Sequence, residues 1–336
     1  MCYNTYITDE GKRMKHKPVF VMMVGLPGSG KTYYAEENLV KKYGFTRYGS
    51  DDIREEMGDV NDQTKNAEVF EELHKRIISS LKEGKDTIMD ATNLSRKRRI
   101  NFLKELKGID CARHCIITMF PYEDCIKADS QRERSVGREV INKMIRNFET
   151  PSKMEGFDRV DLIFRHDASQ YSIKDLGRYW MEFDQENKHH TLTLGQHMSQ
   201  TRKHVEDTIS KKGILPNEKY RLELLLAAGY HDCMKPICKA FVNGKGEPVE
   251  SATYYGHHNA SAYEIINILH VTDVCVCDKP VELFDLLRIS LLINFHMKPY
   301  MDWKQSDKAM KRDKEFLGDE LFQELMILHE ADRAAH

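Results

Sequence analysis

Gly25-Leu26-Pro27-Gly28-Ser29-Gly30-Lys31-Thr32 decides how this chain is read. The stretch meets every fixed position of G-x-x-x-x-G-K-[ST], the glycine loop whose backbone N–H groups cradle a polyphosphate. Val19-Phe20-Val21-Met22-Met23-Val24, just before it, is short and wholly apolar, as a parallel strand covered on both faces should be. Tyr33 to Val40, just after it, reads as a helix. Strand, loop and helix follow in the order a phosphate site requires, with the positive helix end aimed at the anion. In such a site Gly25, Pro27, Gly28, Ser29 and Gly30 line the phosphates, Lys31 reaches the β and γ phosphates, and Thr32 ligates Mg²⁺. The cofactor expected is ATP or another NTP with Mg²⁺.

At 336 residues the chain exceeds one ordinary domain, so two are expected. A net charge of −2, with 31% of residues charged, excludes a polycationic surface. Any nucleic-acid contact has to be local, at an end or a short strand rather than along a duplex. Eight cysteines include no C-x-x-C pair. Cys275 and Cys277 are too close for an ordinary metal hairpin, and Cys111 and Cys115 read as core or surface thiols. All eight are expected to be reduced and mostly structural, as in an intracellular protein. Lys12, Arg13, Lys15 and Lys17 precede an apolar run that belongs to the glycine-loop strand, so no signal peptide is read. No segment approaches the roughly 18 apolar residues of a membrane span. The expectation is a cytoplasmic protein with no membrane partner, residues 1–17 forming a loosely held tail.

From 18 to 166 strands and helices alternate. Thr46 to Ser50 leads into Asp51-Asp52-Ile53-Arg54, a helical stretch covers about 66–83, and Asp86 to Asp90 and Cys115 to Phe120 read as strands. The alternation implies a parallel sheet with helices on both faces, an α/β fold whose ligands sit at the carboxyl ends of the strands. Asp51, Asp52, Arg54 and Asp90 fall just past such ends. Phosphoryl transfer to a hydroxyl needs a carboxylate to take the proton, and Asp51 suits that role. Arg54, three residues on, shares a face with it if a helix starts here and can grip an acceptor phosphate. Asp90 would assist Mg²⁺ or its water shell. Asp before Ile53-Arg54-Glu55-Glu56 also suits helix capping, so one of the two acids can cap while the other works.

Gly25–Thr32, Ser50–Arg54 and Asp90-Ala91-Thr92-Asn93-Leu94 together resemble the polynucleotide 5′-kinase family of P-loop phosphotransferases. Gln131-Arg132-Glu133-Arg134-Ser135-Val136-Gly137-Arg138-Glu139-Val140-Ile141 resembles that family's lid. The resemblance implies Asp51 as general base, Arg54 as the acceptor-phosphate contact, and a lid arginine, Arg132 or next Arg134, on the nucleotide phosphates. The basic run Arg96-Lys97-Arg98-Arg99 reads equally as a solvated helix start or, through Arg96, Arg98 and Arg99, as a nucleic-acid backbone contact.

Composition changes after Phe164. Residues 167–188 read as a polar connector with little periodicity, and 189–336 as helical to the end. Tyr220 to Ala228 and Leu283 to Ile293 have the clearest apolar faces. Most of the 15 histidines lie beyond residue 188, and histidine is the commonest metal ligand. His197, then His231-Asp232, then Asp332 follow the H…HD…D layout of the HD phosphohydrolase superfamily, which this half resembles. His190 to His197, Tyr255 to Ala262 and Glu330 to Arg333 resemble the HD module attached to tRNA CCA-adding enzymes. The resemblance implies an all-α HD domain in which His197, His231, Asp232 and Asp332 hold a transition metal. Mn²⁺, Ni²⁺, Co²⁺, Fe²⁺ and Zn²⁺ all suit mixed imidazole and carboxylate ligands. Such a metal would generate hydroxide and polarise a phosphoryl oxygen. Lys235, at i+4 from His231, would stabilise developing phosphate charge. His257, His258 and His296 read equally as second-metal ligands, phosphate contacts or satisfied core histidines. His189, His190, His204 and His270 read as structural, and His329 as a supporting neighbour of Asp332.

A 5′-OH kinase joined to a metal phosphohydrolase implies one substrate with two ends. The expected function is RNA end healing by an NTP-dependent 5′-kinase plus a 2′,3′-cyclic phosphodiesterase or phosphatase. Its partners would be nucleic acid, RNA ends in particular and tRNA among them, with a separate RNA ligase acting afterwards. The alternatives are a nucleoside or small-molecule kinase fused to an HD nucleotidase, and an HD hydrolase regulated by a nucleotide-sensing P-loop domain.

Overall fold

The computed structural model describes residues 17–58, 64–187, 191–214, 217–271 and 285–335. Most of the N-terminal tail, His189, His190, Cys275, Cys277, Leu283 and Phe284 therefore lie outside the described residues. The chain divides into two compact units. One holds Met1–Phe120, Lys127–Asp129 and Pro151–His166; the other holds Pro121–Ile126, Ser130–Thr150 and Asp167–His336.

The first unit is built on a five-stranded sheet in the order β2-β3-β1-β4-β5, every pair parallel. Its strands are β1 (Val19–Val24), β2 (Thr46–Gly49), β3 (Thr87–Asp90), β4 (Ala112–Met119) and β5 (Arg159–Phe164). Strand β1 is central and buried along its whole length, which is why its sequence is apolar without alternation. The helix after the glycine loop starts as α1 (Lys31–Tyr34), widens into a π turn over Ala35–Val40, and ends as α2 (Lys41–Tyr43). Helices α3 (Ser50–Glu56), α4 (Asn66–Lys82) and α5 (Arg96–Glu105) complete the layers. Val19, Val21, Met23, Ala35, Leu39, Ile88 and Ile116 pack into one apolar cluster beneath the loop. At roughly 1.5–3 kcal/mol for each large apolar side chain withdrawn from water, that cluster holds β1 and the loop helix together.

Helix α6 (Tyr122–Ser130) is divided, its Lys127–Asp129 grouping with the first unit; the second unit holds the rest of it with α7 (Arg138–Ile145), α8 (Ile173–Glu182), α9 (Leu194–Lys212), α10 (Glu218–Tyr230), α11 (Lys235–Cys238), α12 (His257–Val271), α13 (Leu286–Phe295) and α14 (Asp307–Ala334). Two expectations are corrected here. The stretch 167–188 is not an aperiodic connector: α8 lies within it. Ser172 caps the helix by accepting from the Asp175 N–H, and Trp180 is buried with its indole N–H donating to the Cys233 carbonyl at 3.1 Å. Ile173, Leu176 and Trp180 do recur at helical spacing, but charged neighbours dilute the signal. Nor is the second half helical throughout. Strands β6 (Ala240–Val242) and β7 (Pro248–Thr253) form an antiparallel hairpin. Its turn is organised by the Asn243 side chain, which accepts from the Lys245 and Glu247 N–H groups.

The segment after α7 is bolted to α12 and α13. Asn259 donates to the Arg146 carbonyl at 2.7 Å, Asn294 to the Phe148 carbonyl at 3.0 Å, and the Thr150 and Ser290 hydroxyls meet at 2.7 Å. The block read as a lid thus groups with the second unit, where Arg132 and Arg134 are exposed.

Candidate functional sites

In the first unit, parallel pairing brings the ends of β1, β2 and β3 to one edge. Gly49 is in register with Asp90, and the Gly25 N–H donates to the Thr92 carbonyl at 3.2 Å. Gly30 takes a left-handed backbone with φ 88° immediately before α1, the conformation glycine adopts at least cost. Ser29 is fully buried and its hydroxyl meets that of Thr118 on β4 at 2.7 Å, fixing the loop to the sheet. The Lys31 ammonium donates across the loop to the Leu26 carbonyl at 2.8 Å, and Thr32 is exposed on the first turn of α1.

Helix α3 starts where the capping argument expects, yet Gly49 is its N-cap and no side chain caps it, so neither Asp51 nor Asp52 is used in that way. Asp51 is 68% exposed, while Arg54 is 8% exposed and donates through Nη1 to Asp51 Oδ1 at 2.9 Å. Arg54 Nη2 donates to Asn66 Oδ1 at 2.7 Å, and Nε is buried without a hydrogen-bond partner. A buried guanidinium N–H left unmatched suits an anionic ligand. These groups fit a magnesium-bound polyphosphate beside a hydroxyl acceptor: two cations, an exposed hydroxyl at Thr32, and carboxylates at Asp51 and Asp90.

Two residues not singled out in the sequence belong to this edge. Arg165, just past β5, donates to the Gly28 carbonyl at 3.2 Å and stacks over Phe120 at 4.0 Å. Arg47 on β2 binds Glu36, Asp52 and Asp90 at once. Neither carried a signal, because an isolated arginine looks like any surface charge.

The basic run is corrected in part. Arg99 is no surface residue: its side chain is 0% exposed, pairs with both oxygens of Glu155 at 2.7 Å, and donates to the Asn93 and Leu94 carbonyls. It buttresses the loop after β3 and is removed as a nucleic-acid contact. Arg96 is also buried, whereas Lys97 and Arg98 are exposed. Helical periodicity places 96 and 99 on one inward face, a constraint that a run of like charges conceals.

In the second unit six side chains from separate helix ends converge. His197 lies in the first turn of α9, set by a Thr193–Gln196 capping box. His231 and Asp232 follow α10, His257 opens α12, His296 follows α13, and Asp332 lies in the last turns of α14. All are buried. Each histidine has its Nδ1 against a backbone carbonyl: His197 on Ala335 at 3.2 Å, His231 on Ala228 at 2.9 Å, His257 on Tyr254 at 2.7 Å and His296 on Ile293 at 2.7 Å. A carbonyl only accepts, so Nδ1 carries a proton and Nε2 is the atom each ring turns inward, a lone pair whenever the ring is neutral. Those lone pairs point together. His197 Nε2 is 3.2 Å from His231 Nε2 and 3.1 Å from Asp332 Oδ1, and His231 Nε2 is 3.3 Å from Asp232 Oδ2.

Such a set of acceptors demands a cation. Burial works against charge, but Asp232 and Asp332 override it and push the His231 imidazole up to about 10. Burial likewise opposes ionisation of Asp232 and Asp332, yet facing histidines, and for Asp232 also Lys235, hold both carboxyls well below the usual range. Asp232 Oδ1 and His257 Nε2 are buried 3.0 Å apart without a well-aligned hydrogen bond to any group. Two overlapping triads, His197–His231–Asp332 and His231–Asp232–His296, have all ligand atoms within 4.8 Å of one another. The donor set fits a borderline transition metal. His258 stands behind His257 and His296, and burial together with those rings pushes its imidazole well below the ordinary value.

Lys235 differs from its expected setting. Helix α10 ends at Tyr230, so Lys235 opens a new helix rather than lying one turn along the same one. Its ammonium donates to Asp232 Oδ2 at 2.6 Å and Gln185 Oε1 at 2.9 Å. It orients Asp232 rather than standing open to a phosphate. His329, one turn before Asp332, packs edge-on against Tyr300 at 4.6 Å.

Residues 20–151 match the family model described as an AAA domain. The chain is 28% identical over 154 residues to the transcription factor bHLH140 of Arabidopsis thaliana; the match covers 44% of this chain and only 16% of that protein. Among solved structures it is similar to the Pnkp1/Rnl/Hen1 RNA repair complex, at 21% identity over 42% of this chain and 46% of that one, with a TM-score of 0.34. It is also similar to a gluconokinase from Sinorhizobium meliloti 1021, at 13% identity over 45% of this chain and 84% of that one, with a TM-score of 0.34. Among the described residues no helix is long and apolar enough to cross a membrane. The glycine loop, the parallel sheet and the family match make the first unit a P-loop domain, whose loop suits the phosphates of an NTP with Mg²⁺.

Proposed function

We propose that this chain heals nucleic-acid ends with two separate centres, phosphorylating a 5′-OH in the first unit and hydrolysing a terminal 2′,3′-cyclic phosphate or phosphate in the second. The observation that carries this reading is the convergence of His197, His231, Asp232 and Asp332 in a different compact unit from the glycine loop. A phosphotransferase alone has no use for a buried cage of imidazoles and carboxylates.

At the first centre the loop amides and Lys31 bind the NTP phosphates. Asp51 accepts the proton of the attacking hydroxyl, and its pairing with Arg54 holds both at the first turn of α3. The unmatched Arg54 Nε is free to take a phosphate oxygen of the acceptor. At the second centre His197, His231, Asp232 and Asp332 would hold a transition metal, with His257 and His296 beside it. When bound, that metal supplies Lewis acidity and an activated water. The chain's own contribution is orientation: four backbone carbonyls fix the imidazole tautomers, and Lys235 fixes Asp232. A separate RNA ligase would then find both ends ready.

The burial of Arg96 and Arg99 favours a second reading, in which the kinase acceptor is a small alcohol or nucleoside in a closed pocket. The two readings are separated by incubating the protein with γ-labelled ATP, Mg²⁺ and Mn²⁺ or Ni²⁺, and either a 5′-OH RNA ending in a 2′,3′-cyclic phosphate or free nucleosides. End healing is expected to label the RNA 5′ end and release its 3′ phosphate. Labelling of nucleosides alone, with the RNA untouched, would sink the proposal.

A further inference from the structure

Arg47 is tied to three acids on three elements of the first unit. Its Nε donates to Glu36 Oε1 at 2.5 Å on the π turn, Nη1 to Asp90 Oδ2 at 2.9 Å at the end of β3, and Nη2 to Asp52 Oδ2 at 2.7 Å in α3. The Arg47 side chain is mostly buried and Asp90 is almost wholly so. The cluster lies at the strand edge where Gly49 and Asp90 are in register, and where the loop's first glycine bonds to Thr92.

Gly49 makes the arrangement sterically feasible. A Cβ there would come within 2.4 Å of Asp52 Oδ2 and 2.7 Å of Arg47 Nη1. Such distances force one side chain to move. Glycine at residue 49 thus leaves room for both side-chain tips in their observed positions. Three carboxylates against one guanidinium leave this edge acid-rich.

We propose that Arg47 is a positioning residue of the first centre, which fixes the Asp90 carboxylate through one oxygen and thereby sets how strongly Mg²⁺ raises nucleotide affinity. The proposal rests on reading the first unit as a magnesium–nucleotide phosphotransferase. A planar fork held by three acceptors fixes Asp90 in direction as well as in charge, which an ammonium cannot do.

The test uses the full chain and a fluorescent N-methylanthraniloyl ATP analogue, titrated with and without Mg²⁺. Arg47→Gln is expected to shrink the Mg²⁺-dependent gain in affinity by about 10- to 100-fold, the usual cost of losing a group that orients a metal-binding carboxylate. Magnesium-free binding, which depends on the loop amides and Lys31, is expected to stay near wild type. Arg47→Lys should fall between the two. Gly49→Ala, which displaces the pair without removing it, should reproduce the loss if Arg47→Gln does not fold. A wild-type Mg²⁺ gain in Arg47→Gln or in Gly49→Ala would overturn the assignment, as would an equal loss of magnesium-free binding. A wild-type chain that bound no nucleotide would instead overturn the underlying kinase reading, and this assignment with it.

Discussion

His197 and His231 face each other through Nε2 at 3.2 Å while each ring is committed at Nδ1 to a backbone carbonyl. Two neutral imidazoles so held would aim lone pairs at one another. The contact is stable only with a proton or a metal between them, and Asp332, Asp232 and His296 complete the two triads that share His231.

Metal content follows from this. The purified protein loaded with Mn²⁺ or Ni²⁺ is expected to retain the ion through gel filtration and to melt at a higher temperature than after chelation, because the ion binds the folded state only. His231→Ala, which removes the residue shared by both triads, should abolish retention. Unchanged metal content in that variant would show that the ion sits elsewhere.

Arg54 separates acceptor binding from nucleotide binding. Arg54→Lys keeps the charge but loses the fork that spans Asp51 and Asn66. It is expected to raise KM for the hydroxyl acceptor by about 10- to 100-fold, in keeping with loss of one charge-assisted hydrogen bond worth ~1.5–3 kcal/mol. KM for the NTP should hardly move. Steady-state kinetics with each substrate varied in turn provides the check.

The buried Arg99–Glu155 pair is a matter of stability. Glu155→Gln removes the counter-charge of a guanidinium whose side chain is 0% exposed. A cost of about 3–5 kcal/mol is expected, by the usual penalty for breaking a buried ion pair. Arg98→Ala, on the exposed face of the same helix, should leave denaturant midpoints unchanged and weaken only the binding of an RNA oligonucleotide, if RNA is the acceptor.

Glu264 gives stability a pH dependence. It is buried in α12, accepts from the Tyr122 N–H and the Tyr171 hydroxyl, and burial pushes its carboxyl from 4.5 up to about 7. Between those values the folded state holds a proton that the unfolded chain has released. Stability attributable to this group is therefore full below pH 4.5 and falls as pH rises towards 7. Glu264→Gln should flatten that part of the profile, measured by urea unfolding at a series of pH values. An unaltered slope would place the titration on another group, such as Glu324, which burial also pushes up to about 7.

The glycine loop, four of the five parallel strands and the shared helix face of Asp51 and Arg54 were legible because each depends on local order: apolar run, loop, helix, carboxylate at a strand end; β5, exposed or half-buried along its length, was not. The convergence of His197, His231, Asp232 and Asp332 was legible only through spacing and resemblance, since the four come from distant helices. Arg47 and Arg165 were silent, because a single arginine carries no periodic signal. Arg99 misled for the opposite reason: a run of four basic residues looks solvated, although residues three apart share a helix face and one face is buried. Helix α8 was hidden by charge, and the β6–β7 hairpin by its brevity.

Two chemically independent centres on one chain is the central claim, and single substitutions at each test it most directly. Asp51→Ala and Asp232→Ala are compared with wild type on one RNA carrying a 5′-OH and a 2′,3′-cyclic phosphate, and both termini are analysed. Asp51→Ala is expected to lose 5′ labelling by about 10²–10⁴-fold, as for removal of a general base, and to retain 3′ phosphate release. Asp232→Ala should do the reverse. Loss of both activities in either variant, or of neither in both, would contradict the account.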